Sequence, residues 1–161
     1  MDEYITVFTD GSCLNNQSRK KSRGGIGVFF GDNDSNNVSE LLTCDKVTNQ
    51  VAELLAISKA LDILIINNNK KFVYLYTDSK YAINIFSDWI KKWEKNNWKK
   101  MDGKMILNSD IIIDINNKLS KQHVIFKHVR SHLSKPPIDD PKYSIWYGNN
   151  QADFLATSAT K

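Results

Sequence analysis

Four carboxylates lie in segments that could place them around one metal ion. They are Asp10 in FTDGSC, Glu53 in TNQVAELLA, Asp78 in YTDSKY and Asp153 in GNNQADFLA. Hard divalent cations such as Mg²⁺ take oxygen ligands and keep positions open for water and phosphate. Strand ends and helix faces that converge on one point can supply such ligands, so the four segments indicate a divalent-cation site.

Each of these acids also has an ordinary structural explanation. An Asp-Gly pair such as the one at Asp10 often forms a turn, and an aspartate before serine, as at Asp78, often caps a helix. A glutamate beside an apolar helical stripe, as at Glu53, is commonly a rim residue. Asp153 is expected in the first turn of the last helix, where the helix dipole favours any aspartate. Each explanation is adequate for its own acid. Together they are weaker, because four acids on four different elements would each need a separate explanation.

The elements that must position the acids follow the order β-β-β-α-β-α-α-β-α. Alternating side chains predict strands, and apolar residues three and four apart predict helices. Thr48 is the expected N-cap of a helix that runs to about Ile66, and a bend is expected near Ser87 in the next helix. This pattern predicts an α/β fold in which helices pack on a mixed sheet. Strands are predicted at 4–11, 24–30, 38–44, 72–76 and 123–129, further helices at 79–96, 108–120 and 149–158, and a proline-containing non-helical loop at 133–147.

Length and composition indicate a single domain spanning residues 1–161. Hydrophobic residues make up 41% of the chain, and no stretch reaches the roughly 20 apolar residues of a membrane span. No signal peptide is visible before the strand-like start, and Cys13 and Cys44 are too few for a disulfide framework. We therefore expect an intracellular protein, in the cytoplasm or nucleus or in a host cell if the chain is viral.

Positive charge is concentrated in one window of the sequence. The formal net charge is +4, and residues 89–104 hold six lysines against two acids, so the remainder is near neutral. A local basic patch on a near-neutral body suits a polyanion such as nucleic acid. The alternative is a solvated helix face, and charge alone does not decide between the two.

Five segments resemble the type 1 ribonuclease H family in order and spacing, over nearly the whole chain. They are FTDGSC with GGIGVFFG, TNQVAELLAISKAL, YTDSKYAINIFSDWI, HVRSH and GNNQADFLA. The basic insert RKKSR makes the chain more similar to eukaryotic-type members than to bacterial ones. The resemblance implies a ribonuclease H-like fold, a five-stranded mixed β-sheet flanked by α-helices, with a basic protrusion.

The resemblance implies a metal-dependent endonuclease that cuts the RNA strand of RNA/DNA hybrids. Two Mg²⁺ ions, for which Mn²⁺ can substitute, would lie roughly 4 Å apart across the scissile phosphate. In-line attack by water would leave 5′-phosphate and 3′-hydroxyl ends. His132 matches the family's mobile histidine, which is expected to assist proton transfer or product release; the alternative is an exposed loop residue. The implied metal ligands are Asp10, Glu53, Asp78 and Asp153.

The resemblance also implies which residues contact the hybrid. Short polar side chains suit a shallow minor groove in which the 2′-hydroxyl marks the RNA strand. Lys46 stands where the family often has arginine, and lysine lacks the bidentate fork of arginine. The matching positions are Cys13, Asn16, Asn49 and Gln50 on the RNA side, Thr48 and Asn108 at a DNA phosphate, and Trp89, Lys91, Lys92 and Trp93 in the basic protrusion.

One segment departs from the family pattern. The loop LSKPPIDDPKYSIWY, between His132 and Gly148, is longer than the family's usual connection. It could reposition His132, contact the substrate or a partner, or be a surface elaboration packed by its own aromatic residues. The sequence leaves these three alternatives open.

Two other functions compete with hybrid cleavage. A catalytically silent hybrid-binding module would not need all four carboxylates. A resolvase or integrase-like nuclease of the same fold would not need the TNQ segment and the tryptophan-lysine protrusion. We expect the chain to act on the hybrid as a monomer, without an obligate protein partner and without membrane contact.

We predict that neutralising the lysines of the protrusion weakens substrate binding more than it slows catalysis. Lysine–phosphate contacts contribute salt-dependent affinity, so the KM for a hybrid should rise far more than kcat falls. Steady-state rates at several salt concentrations measure both constants. An unchanged KM at low salt would contradict a role of this window in binding. The lysines to be replaced with glutamine are Lys91, Lys92, Lys95, Lys99 and Lys100.

Overall fold

A five-stranded mixed sheet forms the centre of the computed structural model, which describes residues 3–14, 22–44 and 47–161. The strands are β1 Tyr4–Leu14, β2 Ser22–Phe29, β3 Val38–Cys44, β4 Phe72–Thr77 and β5 Val124–His128. They lie side by side in the order β3-β2-β1-β4-β5. The β1–β2 and β2–β3 pairs are antiparallel, whereas the β1–β4 and β4–β5 pairs are parallel. The predicted mixed sheet is therefore confirmed.

Helices cover both faces of this sheet. Those in the described ranges are α1 Asn49–Ile66, α2 Lys80–Asn84, a π-helical turn Ile85–Trp89, α3 Ile90–Lys95, α4 Ser109–Leu119 and α5 Tyr143–Ser158. The π-helical turn contains Ser87, so the predicted helix at 79–96 is interrupted where a bend was expected. None of the helices in the described parts of the chain is both long and apolar enough to cross a lipid bilayer.

Helix α1 forms the centre of the hydrophobic core. Thr48 caps it as predicted, because the Thr48 Oγ1 accepts a hydrogen bond of 3.1 Å from the backbone N–H of Val51. The apolar face of α1 is buried against one face of the sheet, and this burial is the main stabilising contribution of the helix. The residues buried together include Leu54, Ile57 and Leu61 of α1 with Val7, Val73 and Leu75 of the sheet.

The start of the last helix was predicted wrongly. Helix α5 begins at Tyr143, six residues before the predicted Asn149. The prolines do keep residues 133–142 out of helices, but the aromatic run 143–147 is already helical. Gly148 was read as the end of the loop, whereas it lies inside α5. A Cβ on Gly148 would come within 2.2 Å of the Phe8 ring, so glycine is required here for close packing and not for a chain break.

Two glycines let α5 lie directly on β2. A Cβ on Gly25 would come within 1.9 Å of the Ala156 carbonyl oxygen, and one on Gly27 within 2.1 Å of the Ala152 carbonyl oxygen. Gly27 is also the residue paired with Asp10 in the neighbouring strand. The close contact at Gly27 therefore fixes the distance between the middle of α5 and Asp10 of β1.

We predict that Gly27→Ala destabilises the protein by about 1–3 kcal/mol, because the added methyl group forces α5 away from the sheet. Urea unfolding measures the free energy of unfolding. Ser144→Ala is the control, since Ser144 is exposed on the same helix and does not face the sheet contact at Gly27. A Gly27→Ala variant as stable as the control would contradict the close approach of α5.

Candidate active site

Asp10 and Asp78 lie beside each other at the point where the pairing of the parallel strands β1 and β4 ends. The last paired residues of β1 and β4 are Thr9 and Thr77, and each aspartate follows directly. Asp10 continues β1 in an extended conformation, so the alternative of an Asp-Gly turn is wrong. The alternative of Asp78 as a helix cap is also wrong, because Ser79 accepts the capping hydrogen bond at the start of α2.

Glu53 reaches the same point from α1. The backbone of α1 lies against Gly11, where a Cβ would come within 2.4 Å of the Glu53 nitrogen. At this contact the Gly11 N–H donates a hydrogen bond of 3.0 Å to the Glu53 Oε1. Glu53 is buried, with 9% of its surface exposed, so it is not a rim residue. Carboxylate oxygens of Asp10, Glu53 and Asp78 lie within 4.8 Å of one another.

Asp153 faces this cluster from the middle of α5. It is the eleventh residue of the helix, and the prediction that it lies in the first turn is wrong. Residues three, four and seven apart share one face of a helix, and the side chains of Trp146, Asn149, Asn150 and Asp153 all line one cavity with the three other acids. Asp153 is exposed, unlike Asp10 and Glu53, so it borders the open side of the cavity.

The cavity has a volume of about 260 Å³ and is closed on one side by the loop that follows β5. Ser131, His132 and Leu133 of this loop line it. His132 is exposed and has a φ of +56°, in the left-handed region that residues other than glycine rarely adopt. The loop thus places the predicted histidine at the carboxylate cluster, whereas His123 and His128 are not among the residues that line this cavity.

Burial and mutual repulsion make the acids resist ionisation. Burial raises the pKa of Asp10, and the charges of Glu53 and Asp78 raise it further. Burial raises the pKa of Glu53 to about 7, although the Gly11 N–H favours its charged form. Burial and then the charge of Asp153 raise the pKa of Asp78. A bound cation would offset both causes.

The donor set fits a hard divalent cation. All the ligand atoms on offer are carboxylate oxygens, which Mg²⁺ and Mn²⁺ prefer. The Glu53 Oε2 is buried without a hydrogen-bond partner among the described residues, and such an atom is costly unless something binds it. Its position among three other carboxylates makes a cation the partner that best accounts for it.

Several predicted substrate contacts lie around the N-terminus of α1. Asn49 and Gln50, predicted for the RNA side, and Thr48, predicted at a DNA phosphate, are exposed there. Cys13 is half-buried in β1, and its Sγ lies 2.9 Å from the carbonyl oxygen of Val47, just before the helix. Asn16 and Lys46 lie outside the described residues, so their predicted contacts stay predictions.

Residues 89–104, which hold the lysines and tryptophans of the predicted protrusion, form part of a groove beside the N-terminus of α1. A cavity of about 510 Å³ is lined by Gln50 of α1 and by residues of the window. Trp89 and Trp93 are half-buried with ring centroids 5.8 Å apart, and both pack on the hydrophobic core. Lys91 and Lys92 are exposed on α3. Packing of the two tryptophans thus fixes this stretch of chain on the core and leaves its lysines exposed to solvent.

Asn108 links the groove to the body of the protein. Its φ of +61° is left-handed, and its Nδ2 donates a hydrogen bond of 3.2 Å to the Tyr81 hydroxyl. Tyr81 itself lines the groove together with Gln50. The structure therefore places Asn108 next to the groove, and its contact with a DNA phosphate stays a prediction.

Six residues that line the acidic cavity were missed by the sequence reasoning. They are Gly11, Ser131, Leu133, Trp146, Asn149 and Asn150. The side-chain Oδ1 of Asn149 is buried without a hydrogen-bond partner among the described residues. The signal that could have found Trp146, Asn149 and Asn150 is their helical spacing from Asp153. The predicted helix start at Asn149 left Trp146 outside the helix.

The chain belongs to the RNase H family, whose sequence model matches residues 2–161. Ribonuclease H1 of Homo sapiens is 34% identical over 161 residues, which cover all of this chain and 51% of that protein. Ribonuclease HI of Rickettsia prowazekii is 34% identical over 159 residues, which cover 97% of this chain and 90% of that protein. The chain thus spans about half the length of its mammalian relatives.

Solved structures share the fold. LC9-RNase H1, described as a type 1 RNase H with the type 2 active-site motif, superposes with a TM-score of 0.75 at 21% identity, over 99% of this chain and 73% of that one. The PFV RNase H domain superposes with a TM-score of 0.68 at 20% identity, over 97% and 93% of the two chains. The predicted ribonuclease H-like fold is therefore confirmed.

We predict that Asp10→Asn raises the stability of the metal-free protein at pH 8 by at least ~1 kcal/mol, since one unit of pKa shift corresponds to about 1.4 kcal/mol. Acids whose pKa is raised by folding destabilise the folded state as they ionise. The stability of the wild type should therefore fall from pH 4 towards and beyond the pKa of Glu53 at about 7. Urea unfolding in EDTA across this range measures the effect.

Asp88→Asn is the matched control for this stability prediction. Asp88 is exposed in the π-helical turn, and its contact with Lys92 is a weak surface pair at 4.0 Å. This variant should follow the wild type at every pH. An Asp10→Asn protein that is less stable than the wild type at pH 8 would show that the Asp10 carboxylate supports the fold.

Proposed function

We propose that this chain hydrolyses the RNA strand of RNA/DNA hybrids as a metal-dependent endonuclease that leaves 5′-phosphate and 3′-hydroxyl ends. The observation that carries the proposal is the cluster of three carboxylates within 4.8 Å of one another, which come from β1, from α1 and from the residue that follows β4. Family membership over residues 2–161 supports the choice of substrate.

Asp10, Glu53, Asp78 and Asp153 would hold two Mg²⁺ ions, for which Mn²⁺ can substitute. When bound, such ions lower the pKa of a water molecule and neutralise charge on the leaving oxygen. The protein's own part is to keep the oxygen ligands converged, through the close backbone contact at Gly11 and the packing of α5 at Gly27. Three of these side chains resist ionisation without a cation, so the site is built to be completed by one.

His132 would act at the open side of the same cavity. An exposed imidazole at this position can take a proton from water or return one to the leaving oxygen. His132 lines the cavity but is not among the three residues whose possible ligand atoms lie within 4.8 Å of one another. It therefore assists proton transfer or product departure without being a metal ligand.

The hybrid would lie across the N-terminus of α1. Asn49, Gln50 and the backbone near Cys13 face the RNA strand, where the 2′-hydroxyl is recognised. The groove formed by Trp89, Trp93 and the neighbouring lysines contacts the DNA strand. The four proposed metal ligands come from one chain, which supports action as a monomer.

The proposal is tested with end-labelled RNA/DNA hybrid, duplex DNA and duplex RNA, each incubated in Mg²⁺ or in EDTA. Cleavage of the RNA strand of the hybrid in Mg²⁺ alone is the expected result. Cleavage of duplex DNA, or hybrid cleavage that persists in EDTA, would overturn the proposal.

We further predict that Asp10→Asn lowers kcat by at least about a thousandfold, because it removes a charged ligand from the centre of the cluster. Binding of the hybrid, measured by fluorescence anisotropy, should stay within a few-fold of the wild type. Asp88→Asn again serves as the control and should cleave normally. A catalytically silent binding module would bind the hybrid without cleaving it in either form.

A further inference from the structure

We propose that Trp146 is a positioning residue that holds the His132 loop against the carboxylate cluster. This inference rests on the proposed function, since it concerns how one group of that site is held. Of the three alternatives for the segment between His132 and Gly148, the inference assigns it the positioning of His132. The last five residues of this segment form the first turns of α5.

Trp146 points into the site from the same helix face as Asp153. The two residues are two helical turns apart, and both line the acidic cavity. The indole thus approaches the loop from the element that also carries a proposed metal ligand. A shift of the Trp146 backbone relative to Asp153 would require α5 to bend.

A hydrogen bond connects this indole to the loop. The Trp146 Nε1–H donates to the carbonyl oxygen of Leu133 at 3.2 Å. Leu133 directly follows His132, whose backbone is in the left-handed region with a φ of +56°. Among the hydrogen bonds of the described residues, this one links residues 131–135 to α5. This hydrogen bond therefore stabilises the left-handed backbone conformation of His132, which orients its side chain.

A second contact lies further along the loop. The Nζ of Lys135 lies 5.9 Å from the centroid of the Trp146 ring, within the range of a cation–π interaction. Trp146 thus contacts the chain at two points after His132, once through its N–H and once through its ring. Two contacts restrict the loop more than one hydrogen bond alone would.

The helix turn that carries Trp146 is itself fixed. The Tyr147 hydroxyl donates a hydrogen bond of 2.6 Å to the Asp32 Oδ1, and its ring packs edge-on against Phe29 at 6.0 Å. These contacts attach the start of α5 to the β2–β3 connection on the side away from the loop. A fixed helix turn gives the indole a defined position from which to hold His132.

Trp146→Phe tests this role, because it keeps an aromatic ring and removes the N–H donor. We expect kcat on a hybrid to fall about three- to tenfold, the effect of one lost hydrogen bond on a positioned group. KM and the Tm should stay close to the wild type, since the substrate groove and the core are untouched. Ser120→Ala is the control: it removes an exposed side-chain hydrogen bond to the Asn117 carbonyl oxygen at the end of α4, away from the acidic cavity, and should leave kcat unchanged.

A double-mutant cycle with His132→Ala separates positioning from a merely structural role. If Trp146 acts through His132, the double variant has the same kcat as His132→Ala alone. A Trp146→Phe protein with wild-type kcat, or losses in kcat that multiply in the double variant, would overturn the inference. Wild-type kcat in His132→Ala would also overturn it, whereas the proposed function itself is judged by hybrid cleavage in the wild type and its loss in Asp10→Asn.

Discussion

Like-charge repulsion among buried carboxylates is the constraint on which the rest of the structure depends. Three carboxylates within 4.8 Å of one another, two of them buried, oppose folding unless they are protonated or bound to a cation. The fold holds them together by backbone contacts that no side-chain movement can relax. Gly11 against α1 and Gly27 against α5 are those contacts. The fold thereby gives up stability to form a carboxylate cluster that could hold a cation.

Helix α5 links this constraint to the rest of the proposed chemistry. One of its faces carries Asp153 and Asn149 into the cavity, and its first turn carries Trp146 to the loop of His132. Packing of Gly148 on Phe8 and of Tyr147 on Phe29 fixes that helix on the sheet. The position of one helix thus determines the positions of both the proposed ligand Asp153 and the exposed side chain of His132.

Most of the fold could be predicted from the sequence because local patterns determine it. Alternation in β1 and the Thr48 cap of α1 depend on neighbouring residues, and the structure has both. The glycine inside α5 at position 148 is explained by Phe8, a residue on a distant strand whose ring occupies the space above Gly148. No local pattern reveals that contact, so Gly148 was read as the end of a loop. The same error placed Asp153 in the first turn of α5 and concealed Trp146.

Calorimetry of Mg²⁺ binding near pH 7, repeated in buffers of different ionisation enthalpy, tests the central claim most directly. Acids whose pKa is raised by burial and repulsion must lose protons when a cation binds. We therefore predict that Mg²⁺ binding to the wild type releases protons, and that Asp10→Asn reduces both the affinity and the number of protons released. Mg²⁺ binding with no proton release, or equal binding to Asp10→Asn, would contradict the account.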